Sequence, residues 1–342
     1  MRGALCWTFF MISTTAEIAL AAEPGGPPTP AGPPVPVTTP ASSAPVPPAN
    51  ASDEPPPPMP RIPADRITYD TQIGARVNPL GLEIGTNIAY RRRLYESDSL
   101  ALRDNNLSVG ISPTVSPALA RMGGYVEFRP LTILTLAGSF HHVGYFGSFD
   151  LLQRFGSASE DFSDTAIKDR ADAGRNEPES GIEATGRALA LAKVGPIVIR
   201  DDLLFTYTNL GLEEEQPLYY HPRFDLMVED AGWSVHNDTD VVYLSDFGLL
   251  AGARLSLTHS FLSDENLGGT AGEDAQTLLR VGPVALFSFF DEPGASFNKP
   301  SIVLIAQWWL MHRFRTGEDV SQGLPYIAAA FRFEGDLFRS KD

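Results

Sequence analysis

The stretch 247-FGLLAGARLSLTHSF-261 decides the fold. Its odd positions are Phe247, Leu249, Ala251, Ala253, Leu255, Leu257, His259 and Phe261, and its even positions include Gly248, Gly252, Arg254, Ser256, Thr258 and Ser260. A period of two places these sets on opposite faces of a β-strand. One face is aliphatic and aromatic; the other is small, polar and charged. Working outward, the pattern recurs about a dozen times between Ile67 and the C-terminus. Long strands that alternate in this way are the mark of a transmembrane β-barrel, whose outer surface meets lipid and whose interior is polar.

The expected strands are Ile67–Asn78, Leu82–Tyr95, Asn106–Val115, Leu119–Arg129, Leu131–Phe146, Glu183–Val194, Ile197–Leu210, Trp233–Leu244, Phe247–Phe261, Thr277–Phe290, Ser301–Phe314 and Leu324–Phe338, with a further short strand around Tyr219–Val228. The fold class this predicts is all-β, an antiparallel up-and-down barrel of about twelve strands. An even count returns both termini to one side. Tight turns at Arg129-Pro130, Lys193–Pro196 and Ser245-Asp246 alternate with long connections over Gly147–Ile182, Gly211–Gly232, Leu262–Gln276 and Arg315–Gly323. The long connections are acidic, which suggests contact with lipopolysaccharide through bridging divalent cations.

Residues 1–22 read as a secretory signal, with Arg2 before a short apolar core and Ala19-Leu20-Ala21 at the cleavage positions. The apolar run is too short for a helical span. The single cysteine, Cys6, lies inside that signal, so the exported chain carries no disulfide. Residues 23–63 hold more than half of the 29 prolines and form an unfolded, polyproline-rich linker able to reach about 120 Å when extended. The barrel occupies 64–342. A net charge of −16 excludes nucleic acid as a partner.

Strand parity then nominates the side chains that face the interior: Arg76, Arg121, Glu127, Arg187, Arg200, Asp202, Arg254, Arg280, Gln307, Arg313, Arg332 and Glu334. A basic residue turned instead toward mid-bilayer lipid costs about 2–4 kcal/mol. The inward set is richer in arginine than in acid. An arginine-lined lumen favours anions, whereas pairing of the same arginines with Asp and Glu would plug a narrow barrel. Aromatic residues at strand ends, among them Tyr90, Tyr95, Tyr145, Phe146, Trp308, Trp309, Phe314 and Phe338, fit interfacial girdles.

On these features the chain resembles Gram-negative outer-membrane β-barrel proteins from Ile67 to Phe338, and its architecture is similar to twelve-stranded oligosaccharide channels with arginine-bearing lumens. The resemblance implies outer-membrane lipid, lipopolysaccharide and the barrel assembly machinery as partners, with peptidoglycan as a contact for the proline-rich segment in the periplasm. Members of the class end on a strand whose last aromatic residue aids assembly. Here Phe338 is followed by Arg339, Ser340, Lys341 and Asp342, and shares the parity of Arg332 and Glu334 rather than that of Phe331 and Phe333.

Catalytic pairs are weak. His259 and Ser260, like His141 and His142, are strand neighbours that point to opposite faces. Ser234 and His236 share a face, but no orienting third group is evident. The expectation is therefore no enzyme, no metal and no cofactor. The leading reading is a passive channel for small anionic solutes. The alternative is a plugged structural or adhesion barrel that works through its acidic outer loops or its proline-rich tail.

Overall fold

The computed structural model describes residues 62–340 except 100, 318, 319, 321 and 322. The signal and nearly all of the proline-rich segment lie outside the described residues. The strands are β1 (Asp65–Val77), β2 (Gly81–Arg93), β3 (Asn106–Ile111), β4 (Thr114–Val115), β5 (Leu119–Leu131), β6 (Leu134–Phe146), β7 (Arg154–Phe155), β8 (Pro178–Val194), β9 (Ile197–Asn209), β10 (Leu218–His221), β11 (Leu226–Glu229), β12 (Gly232–Leu244), β13 (Leu249–Phe261), β14 (Thr277–Ser288), β15 (Asn298–Met311) and β16 (Tyr326–Arg339). Short helices α1 (Asp164–Asp172), α2 (Asp264–Leu267) and α3 (Thr270–Asp274) sit in the connections.

The wall is one antiparallel sheet in which each strand pairs with its neighbour and β1 closes against β16. Both β3 and β4 lie between β2 and β5 and together form a single wall strand, which gives twelve in all. The break falls at Ser112-Pro113, where proline has no N–H to give to a ladder. Its carbonyl still accepts from Thr86 N at 3.0 Å. Closure leaves each wall strand with a ladder partner on both sides, the arrangement that satisfies backbone groups inside an apolar medium.

The two rims differ. At one, the connections are 94–105, 132–133, 195–196, 245–248 and 289–297, together with both chain ends. At the other they include 147–177, 210–231, 262–276 and 312–325. The alternation in β13 is as expected: Arg254, Ser256, Thr258 and Ser260 are buried inward, while Leu255, Leu257 and Phe261 are exposed outward. Parity inverts in β5, where Arg121, Glu127 and Arg129 point inward and Met122, Val126 and Phe128 outward.

Three aromatic residues assigned to the girdles are instead internal. Tyr145 and Trp309 face the lumen, and Phe314 packs edge-on to Phe162, ring centroids 4.7 Å apart. Trp308, the neighbour of Trp309, does face outward. Adjacent strand residues cannot both join a girdle, because the pleat sends them to opposite sides. One carboxylate breaks the outward apolar rule. Asp201 has the parity of Ile199 and Phe205 on the outer wall, where Thr239 Oγ1 donates to it at 2.7 Å and Asn237 Nδ2 at 3.2 Å.

Candidate functional site

Inside the barrel, charge is arranged in ladders that cross the strands. Arg187 donates from Nε and Nη2 to the two oxygens of Asp202 at 2.7 and 2.9 Å. Arg200 bridges Asp202 and Asp240, lying 3.2 Å from the latter. Arg254 holds Asp240 in the same two-pronged way, at 2.6 and 2.7 Å, and reaches Asp238 at 3.1 Å. His236 Nε2 lies 3.3 Å from Asp238, and Gln307 donates to Ser256 Oγ at 2.9 Å. Basic and acidic residues thus alternate over β8, β9, β12 and β13. In the low-dielectric interior such pairs survive only because each carboxylate gains several charge-assisted hydrogen bonds.

A second group joins Arg121 to Glu183, and Glu183 to Arg223 at 3.7 Å. Near the opposite rim, Arg129 pairs with Asp104 at 2.7 Å and Glu127 at 3.3 Å. Glu334 pairs with Lys299 at 3.2 Å, and Arg332 is buried on the same inner face. Of the residues nominated by parity, Arg313 is placed differently. The strand β15 ends at Met311, and Arg313 lies in the following loop, where it donates to the carbonyls of Ala158, Ser159 and Glu160 at 3.0–3.2 Å. The alternation was read two residues past the point where the chain leaves the sheet, so Arg313 is a loop clamp rather than a lumen residue.

The long-loop end of the lumen is filled by chain from two of the long connections. Strands β10 and β11 form a hairpin, not the single extra strand expected, and with β7 they make a separate three-stranded sheet. Leu218, Tyr219, Leu226, Met227 and Val228 in it are fully buried. Their neighbours Leu151, Leu152, Phe155, Ala158 and Phe162 come from the 147–177 connection, which therefore folds onto the plug. The plug meets the wall through Tyr219 against Tyr145, centroids 6.4 Å apart, and Phe224 against His236 at 6.4 Å.

Polar latches hold it there. Arg76 Nη2 donates to the Pro222 carbonyl at 2.6 Å. Asp225, at the hairpin turn, accepts from Tyr220 Oη at 2.8 Å and from Arg315 Nη2 at 3.2 Å. Arg315 also grips Asp164 at the start of α1, and His312 Nε2 lies 2.7 Å from the Asp225 carbonyl oxygen. Burial opposes ionisation of Asp225, but Arg315, His312 and the hydrogen bonds overcome it and hold the carboxyl well below the usual range. Burial pushes the His221 imidazole down to about 3, with Arg223 and Arg121 adding to the effect and Glu183 opposing it.

Away from the plug, the inner face of β1, β2, β5, β6 and β8 is less tightly packed. Asp70, Gln72, Asn87, Tyr125, Ser139, Thr185 and Arg187 retain partial exposure while facing inward. Register places them nearer the short-turn rim than the wall residues the plug touches: Asp70 precedes Arg76 in β1, and Ser139 precedes Tyr145 in β6.

The suspected catalytic pairs stay apart: Ser234 Oγ donates to the Thr206 carbonyl at 3.5 Å, and Ser260 points inward while His259 bonds Thr277 outside. Sequence reading missed Ser112 and His141, which meet at 2.6 Å across β5. Inward parity on both strands was the only available signal. Among the described residues His141 Nδ1 has no hydrogen-bond partner, so no orienting acid is bonded to the pair there. Among the described residues no cluster of His, Cys, Asp and Glu is suited to a metal.

The architecture is a closed twelve-stranded antiparallel β-barrel with an apolar outer face, as in barrels that span membranes. No family model matches the chain, and no curated protein matches its sequence. Solved structures similar to it include CdiB from Acinetobacter baumannii, at 8% identity, TM-score 0.38 and coverage of 80% of this chain and 60% of that one. OccAB1 from Acinetobacter baumannii shows 13% identity and TM-score 0.36, over 77% and 60% of the two chains. The translocator domain of the autotransporter NalP from Neisseria meningitidis shows 11% identity and TM-score 0.34, over 80% and 89%. The chain spans about three fifths of the length of CdiB and OccAB1.

Proposed function

We propose that this protein is a passive channel in a bacterial outer membrane for small anionic solutes, held shut at rest by the β10–β11 plug. The observation that carries this reading is the relation between plug and wall. The obstruction is an inserted hairpin, separate from the wall sheet. Below it the inner face of β1, β2, β5, β6 and β8 is polar and retains access to solvent, while that of β12–β16 toward the short-turn rim is buried and apolar, with Leu250, Leu286, Val303 and Ile305. Guanidinium groups along the path supply weak, repeated attraction for anions without chemistry. The short-turn rim and the proline-rich segment face the periplasm, and the acidic long connections face outward, where divalent cations bridge them to lipopolysaccharide.

The test is ion conductance of the refolded chain in a planar bilayer, with and without replacement of Leu218–Glu229 by a short glycine-serine linker. Rare or absent steps in the intact chain, and frequent anion-preferring steps after replacement, support the gated channel. A second reading, a permanently plugged structural barrel, is favoured by one observation: the Arg200, Asp202, Asp240 and Arg254 side chains are only 1–4% exposed. A replaced-hairpin barrel that folds but never conducts establishes that second reading and removes the first.

A further inference from the structure

Arg280 stands apart from the lumen arginines held in the ladders. It is 3% exposed. Its Nε finds no acceptor, and no carboxylate pairs with it among the described residues. Its guanidinium lies instead over the Tyr326 ring, 4.1 Å from the centroid. Directly opposite Arg280 in the β14–β15 register is Trp309, 9% exposed, whose indole Nε1 also has no acceptor among the described residues. Residues paired across antiparallel strands share a face, so the two side chains enter the same part of the lumen. Arg76 and His312, both plug contacts, lie within electrostatic range of Arg280.

Arg280 Nε and Trp309 Nε1 are donors, and the Tyr326 hydroxyl beside them can donate as well as accept. A guanidinium carries five N–H donors and no acceptor, and an indole only donates. Leaving such a cation buried without a counter-charge is strongly unfavourable. Water satisfies it incompletely, because water must also donate. A small oxyanion only accepts, cancels the charge, and matches the planar fork of arginine. From this we infer that Arg280 and Trp309 form a binding site for a small oxyanion, a phosphate or carboxylate group, on the inner wall beside the plug. The site deepens the anion preference of the proposed channel by giving it a location, and it does not require that the barrel conduct.

The test uses the full refolded chain in detergent. Inorganic phosphate is titrated at constant ionic strength and followed by tryptophan fluorescence and thermal unfolding, with chloride as the reference salt. A saturable phosphate response is expected from the wild type and from Arg175→Gln on an exposed loop. Arg280→Gln weakens it about tenfold or more, as loss of charge-assisted hydrogen bonds implies. Trp309→Phe, followed by thermal unfolding, weakens it by a smaller factor. Acetate that displaces phosphate marks carboxylates as ligands too; failure to displace restricts the site to phosphates. The site is overturned if phosphate gives only the response that chloride gives, or if folded Arg280→Gln retains wild-type affinity. Should Arg280→Gln fail to fold, undiminished binding by Trp309→Phe overturns it. A barrel that binds phosphate without conducting keeps this site and loses the channel reading.

Discussion

Phe338 sits directly opposite Ile67 across the closing seam of the barrel, out of step with the alternation set by Arg332 and Glu334. The register runs from Ile67 paired with Phe338 to Thr68 paired with Asp336, so Leu337 is the extra residue of a β-bulge. The bulge resets parity and turns Phe338 outward, 55% exposed beside the similarly outward Ile67. The aromatic residue that ends the last strand therefore reaches the lipid side despite its position in the sequence.

Deleting Leu337 removes the extra residue and leaves Phe338 next to Asp336, still opposite Ile67 and facing outward, so the yield of heat-modifiable, protease-resistant barrel is expected to be unchanged. Phe338→Asp places a charge on that outward position and is expected to lower the yield, read by electrophoretic mobility before and after boiling. Unchanged folding of Phe338→Asp would show that the outward aromatic has no part in assembly.

Arg200 is the centre of the longest ladder. Its replacement by methionine leaves Asp202 and Asp240 with one guanidinium partner fewer in a site closed to water. Breaking a buried pair in this way costs about 3–5 kcal/mol, seen as a lower urea midpoint. Alanine at Lys168, which pairs with Asp172 on the exposed surface of α1, is expected to leave that midpoint unchanged.

Asp201 offers the opposite sign. Its carboxylate faces outward between Ile199 and Leu203 in sequence and, among the described residues, accepts hydrogen bonds from Thr239 and Asn237. Thr239 Oγ1 also lies 3.0 Å from Asn237 Oδ1, so its single O–H can turn to that acceptor when the carboxylate is removed. Asp201→Leu is therefore expected to raise the urea midpoint in lipid vesicles. A fall would mean that the carboxylate meets something other than lipid.

Plug stability should fall with acidification. His221 is neutral in the folded plug, its pKa pushed down to about 3 chiefly by burial, from an ordinary value of 6.5. The released hairpin therefore binds a proton between pH 6.5 and about 3 that the docked hairpin does not, and docking weakens as pH falls through that window. Asp225 acts in the same direction at lower pH, since its carboxyl is held below its ordinary value of 3.8 by Arg315 and His312 against the cost of burial. Glu183 on β8, Arg121 on β5 and Arg223 of the hairpin surround His221, and Tyr220, His312, Arg315 and Asp164 surround Asp225. Protease cleavage within 218–229 should rise as pH drops from 7 to 4, and His221→Phe should flatten the upper part of that profile.

The sequence by itself determined the wall. In β13 and β5, the choice of face for each residue follows from a two-residue period and from the cost of a charge in lipid, both of which are local. The strand count, the closure and the inward direction of Arg76, Arg200 and Arg254 follow from the same rule. What the tertiary structure decided is what the inward residues meet. Arg254 finds Asp240 on the next strand, Arg280 finds an aromatic ring and no carboxylate, and Arg76 finds a carbonyl 146 residues away. The hairpin around Pro222 carries no alternation that separates a lumen plug from an outer loop, because the apolar surface that buries it comes from the wall and from the 147–177 connection. Parity also fails wherever the chain leaves regular pairing, as at Arg313 beyond β15 and at the Leu337 bulge. A period of two survives only as long as the ladder that enforces it.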